Sequence, residues 1–116
     1  MTTGHAPAQR LEIPKHFGRR PDTRFRSASG LQDVSHTEAA RLQHHSAVAV
    51  LDELARRSLS LAWLAGELGE NTDHLRRKLY GQAVASLRDL CAWAYVLELD
   101  TPVPPAFVQR LAGAAL

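Results

Sequence analysis

The chain has 116 residues, 45% of them apolar and 22% charged, which suits one packed core and excludes both a fully disordered chain and two independent domains. Its one cysteine, Cys91, excludes an internal disulfide and an all-cysteine zinc module. No apolar run approaches the roughly 18 residues of a membrane span, and the first residues lack the apolar centre of a secretory signal, so a soluble, cytoplasmic protein is expected.

Fourteen basic residues stand against 12 acidic ones, and the net charge of +2 does not by itself indicate an anionic partner. Lys15 and Lys78 are the only lysines, and the other basic residues are arginines, whose planar fork grips phosphate and base edges bidentately. An Arg-rich and Ala-rich composition follows equally from a GC-rich genome.

Residues 1–34 are punctuated by Gly4, Pro7, Pro14, Gly18, Pro21 and Gly30 and show no helical or strand period, which predicts a flexible arm without a core. With Asp33 counted as acidic, the arm has a net charge of +3, from Arg10, Lys15, Arg19, Arg20, Arg24 and Arg26 against Glu12, Asp22 and Asp33. Such arms lie along phosphates or in a minor groove, or are simply solvated termini. Its removal is expected to leave the helical domain of residues 35–116 folded.

Ser35 followed by Glu38 fits a capping box, so the first helix is expected over Thr37–Arg57. Ala40, His44, Ala47, Leu51, Leu54 and Ser58 form its inward stripe, widened by Val50 and Ala55. A second helix is expected from an N-cap at Ser60, with Leu61, Leu64, Ala65 and Leu68 inward and Gly69 as its stop. Asn71, Thr72 and Asp73 offer capping oxygens for a third, which carries Leu75 and Leu79 inward and stops at Gly81. Ser86 and Asp89 form a capping box for a fourth, with Leu87, Leu90, Cys91, Ala94 and Leu97 as its buried stripe. Pro102, Pro104 and Pro105 break that helix and open a fifth, faced by Phe107, Leu111 and Ala114. The predicted fold class is all-α, with about five helices and no internal repeat.

The stretch from Leu59 to Gly81 carries Leu59-Ser60, Leu64-Ala65, Leu68-Gly69, Leu75 and Gly81 at fixed spacing. This pattern resembles the lambda-repressor-like, or Xre-type, helix-turn-helix family, and the resemblance extends over about Leu51 to Leu99. Ala65 keeps the second helix thin where the third crosses it, and Gly69 supplies the left-handed turn. The chain departs from the family pattern in having Leu61 where a phosphate-holding Gln is common. It also has Glu70 at an apolar turn position, Lys78 at a late aliphatic position, and the acidic Asp73 on the outward face.

The resemblance implies a sequence-specific binder of double-stranded DNA, a small transcriptional regulator or a plasmid- or phage-type control protein such as a repressor, acting as a homodimer on a two-fold site. Its third helix would enter the major groove, with Thr72, Asp73, Arg76 and Arg77 at base edges. Ser60, Asn71, His74, Lys78 and Tyr80 complete the expected interface, together with Arg19, Arg20 and Arg24 of the arm and the loop from Gly81 to Ser86. When bound to DNA the protein would be associated with the nucleoid. The alternative is a protein-interaction module, an adaptor or antitoxin-like partner binder, that keeps the scaffold without DNA readout; Leu61 and Asp73 favour it.

No catalytic residue, cofactor or metal is expected. His36, His44 and His45 with Glu38 offer metal-ligand types, but His44 and His45 point apart on a helix, and a half-buried face is the ordinary reading. Cys91 with His74 offers a thiol nucleophile, against which Cys91 falls on the expected inner stripe. Trp63 and Trp93 fall off the expected stripes and mark either a partner surface or packing against the first helix.

Overall fold

A computed structural model of the chain describes residues 6–99. They contain four α-helices: α1 (Leu31–Arg57), α2 (Leu61–Leu68), α3 (Thr72–Leu79) and α4 (Leu87–Leu97), preceded by 3-10 turns at Pro7–Arg10 and Pro14–His16. The all-helical class is as expected, and the described residues hold no strand, only an isolated antiparallel bridge between Leu11 and Phe25. The fifth helix expected after Pro102 lies outside the described residues. No helix among the described residues is long and apolar enough to cross a membrane.

Three helix starts follow from local capping chemistry. Ser60 accepts from the Trp63 N–H, Asn71 from the Asp73 and His74 N–H groups, and Ser86 forms a full capping box with Asp89. The start of α1 differs from the expectation. It begins at Leu31 after Gly30, with no side-chain cap. Ser35 instead donates back to the Leu31 carbonyl within the helix, and Glu38 pairs with Arg41. The acid that reaches back is Asp33, which accepts from the Ser29 N–H and from Arg10. These two partners, the Ser29 amide first, hold the Asp33 carboxyl below its ordinary pKa.

The core draws on the N-terminal segment and all four helices: Leu11 and Phe17 from the N-terminal segment, Ala47, Val50 and Leu54 from α1, Leu64 and Ala65 from α2, Leu75 and Leu79 from α3, and Leu90, Trp93 and Leu97 from α4. α1 packs against the first 3-10 turn, α3 and α4, while α2 packs against α3 and α4. Arg57 donates to the Leu97 carbonyl at 2.7 Å and so ties the C-terminal ends of α1 and α4 together.

The expected flexible arm is corrected by this packing. Leu11 is 0% and Phe17 1% exposed, and the Ala8 N–H donates to the Gly81 carbonyl. Burial of these irregularly spaced apolar groups offsets the ordering of a segment that has no regular period. Two glycines allow the close approach. A Cβ on Gly18 would stand 2.3 Å from the Leu79 carbonyl oxygen, and one on Gly81 would stand 2.6 Å from the Phe17 ring; both residues have positive φ.

The phase of α4 is also corrected. Leu90, Trp93 and Leu97 are buried, whereas Leu87 is 61% exposed and Cys91 is exposed. The large indole turns the helix so that Trp93, not Cys91, faces the core. On α1, Leu51 is half-buried, Ala55 and Ser58 are exposed, and Thr37, Gln43 and Val48 are buried beside the expected stripe.

Candidate nucleic-acid interface

α2 ends at Gly69, whose φ of 68° and ψ of 35° reverse the chain while the Glu70 N–H returns to the Ala65 carbonyl. Three residues later α3 begins at Thr72, with Leu75 and Leu79 both 0% exposed against the core. Their direction fixes the rest of the helix. Asp73, His74, Arg76 and Arg77 are exposed, and Thr72 is half-buried.

Asp73, Arg76, Arg77 and Tyr80 stand at positions i, i+3, i+4 and i+7, the spacing of a single helix face. Arg76 pairs with Asp73 at 3.2 Å, an exposed pair that solvent keeps weak. Among the described residues none of the ion pairs involves Arg77 or Arg19. The half-buried Tyr80 closes the stripe, and the Arg19 guanidinium lies over its ring at 4.3 Å from the centroid.

Several expected contacts fall elsewhere. Lys78 is turned away from this stripe: its ammonium lies 2.5 Å from Glu70 and 3.3 Å from Asp89, with only 20% of the side chain exposed. Burial works against the charged Lys78, but the hydrogen bonds that its ammonium donates to the two carboxylates outweigh it and raise its pKa. Burial likewise opposes the charged Asp89, and the Ser86 amide and Lys78 prevail to lower its pKa. Ser60 and Asn71 spend their side-chain oxygens on capping. Arg20 and Arg24 are exposed, and their carbonyls accept from His44 and from the Glu12 N–H respectively.

Two buried polar residues of α1 position this surface, and neither belongs to the expected site. Gln43 donates to the Lys78 and Ala83 carbonyls at 2.7 and 3.0 Å and accepts from the Ala85 N–H at 2.9 Å, which fixes the loop after α3. His44, 0% exposed, accepts from the Gly18 N–H at Nδ1 and donates from Nε2 to the Arg20 carbonyl, each at 2.9 Å. Both ring nitrogens are thereby engaged, and the Phe17 and Phe25 rings stand edge-on to the imidazole. The signal for both residues was a polar side chain next to or on the apolar stripe, where burial requires hydrogen-bond partners.

The geometry can present arginine side chains and a helix N-terminus to an anionic surface; Trp63 is half-buried and Trp93 fully buried. Comparison with known proteins found no match to any family, curated protein or solved structure.

Proposed function

We propose that the chain is a sequence-specific double-stranded DNA-binding protein of the lambda-repressor-like helix-turn-helix type, a small regulator that acts in the cytoplasm as a homodimer on a two-fold site. The observation that carries this reading is α3 itself. It follows α2 after a left-handed glycine turn, buries Leu75 and Leu79, and leaves Arg76 and Arg77 exposed on the opposite side. A helix of this kind fits the major groove, where arginine pairs bidentately with guanine. Asp73 can accept from cytosine N4 once Arg76 leaves it for a base.

The exposed Asp73–Arg76 pair favours a second reading, a protein-interaction module in which the same face docks a partner of mixed charge. Selection of duplexes from a randomised pool, followed by mobility-shift titration at two salt concentrations, separates the two. Enrichment of a palindromic sequence supports DNA readout; absence of binding to any duplex at low salt overturns it.

A further inference from the structure

We infer that Arg19, held on the face of Tyr80, is a fixed contact for a DNA backbone phosphate at the C-terminal end of α3. The inference rests on the DNA-binding reading and adds to it a contact supplied by a folded N-terminal segment rather than a mobile arm.

Three observations carry it. The first is placement: Tyr80 follows Arg76 and Arg77 by four and three residues, so its ring extends their face by about 5 Å along the axis. The Arg19 guanidinium over that ring adds a further cation to the stripe. The second is rigidity. Gly18 and Arg20, the two neighbours of Arg19, are both bonded to the buried His44, and Gly18 lies against the Leu79 carbonyl. The backbone carrying Arg19 is thus hydrogen-bonded to α1 and lies against the C-terminal end of α3.

The third is electrostatic availability. Arg19 is exposed and takes part in none of the ion pairs among the described residues. The carbonyl end of a helix carries partial negative charge and by itself repels a phosphate. A guanidinium stacked at that end offsets the repulsion while keeping its N–H edges free, because the ring occupies only its face. A contact built in this way requires no ordering of the chain on binding.

The test uses the full chain with two probes: the duplex enriched from a randomised pool, and an unrelated duplex of equal length. Arg19→Gln is expected to weaken both by the same factor, about ten-fold at low salt. The slope of log affinity against log salt should flatten by about one unit. Tyr80→Leu, which removes the ring beneath Arg19, should lose affinity for both duplexes; circular dichroism melts confirm that each variant is folded. An Arg19→Gln protein with unchanged affinity and slope, or one impaired on the enriched duplex alone, overturns the inference while Arg77→Gln still registers the DNA interface. Failure of the unaltered protein to bind either duplex overturns the DNA-binding reading, and this contact with it.

Discussion

The ammonium of Lys78 meets the carboxylate of Glu70 at 2.5 Å, so two departures from the helix-turn-helix pattern, one in the turn and one late in α3, are partners of each other. An ion pair stands where the family pattern places two apolar residues, and Asp89 of α4 joins it at 3.3 Å. Removing one member leaves a largely buried charge without its counterpart. Lys78→Met is therefore expected to destabilise the fold by about 1 to 3 kcal/mol. The double variant Glu70→Leu, Lys78→Met should recover part of the loss, since apolar groups of similar size can replace the Glu70–Lys78 pair while Asp89 keeps only its bonds with Ser86. Urea unfolding of the three proteins checks this; equal stability of single and double variants would show the pair uncoupled.

His44 links stability to pH. Burial pulls its pKa below the ordinary value, the bond to the Arg20 carbonyl works against this, and His45 and Arg41 add to the lowering. His45 is lowered as well, by burial and then by Arg41. The folded protein thus favours neutral imidazoles, while the unfolded chain takes up protons near pH 6.5. Between the lowered folded value and about 6.5 the unfolded state binds more protons, so stability falls as pH drops through that window and levels off beneath it. Unfolding at pH 7.5 and 5 measures the loss. Imidazole nitrogen shifts should show His44 Nδ1 unprotonated and Nε2 protonated at the higher pH; a doubly protonated His44 in the folded protein at pH 7.5 would contradict the assignment.

Elements set by neighbouring residues were legible in the sequence. Ser60, Asn71 and Ser86 cap helices through atoms two or three residues away, and Leu75 with Leu79 fixes the outward face of α3 by the helical period alone. What depends on distant partners was not. Lys78 is drawn inward by Asp89, which belongs to another helix, and α1 starts at Leu31 behind a glycine, with Arg10 of the N-terminal segment bonded to Asp33 in its first turn. The largest difference is the N-terminal segment. Leu11, Phe17 and Phe25 follow neither helical nor strand spacing, so no periodicity marks them as core, yet Gly81 leaves room for the Phe17 ring and Gly18 lets the segment approach Leu79 of α3.

The buried N-terminal segment makes a further prediction, opposite to what a flexible arm requires. Phe17→Ala should cost about 3 to 5 kcal/mol, as for other fully buried phenylalanines. Gly81→Ala should also destabilise, because its Cβ would enter the Phe17 ring and its φ of 75° strains any residue with a side chain. Deletion of residues 1–29 exposes the core beneath Leu11 and Phe17 and is expected to abolish the cooperative thermal transition. A truncated protein with an unchanged melt would show that the segment is dispensable.

The last prediction concerns α3, whose exposed Arg76 and Arg77 differ in what already holds them. Arg76 pairs with Asp73, whereas Arg77 takes part in no ion pair among the described residues. If either pairs bidentately with guanine, its change to Ala should cost about 1 to 3 kcal/mol on the specific site and relax preference at that base. A phosphate contact behaves differently: it weakens specific and random duplexes alike and lowers the salt slope by about one unit. Asp73→Asn removes the competitor for Arg76, so it should raise affinity for random duplexes, and it should lower discrimination where Asp73 itself reads a cytosine. The double variant Arg76→Ala, Arg77→Ala leaves Leu75 and Leu79 in place and should keep the native melt, so any loss of binding belongs to the interface and not to the fold. Measured on specific and random duplexes, indifference of both affinities to the double change would transfer the α3 face from DNA readout to the protein-interaction reading.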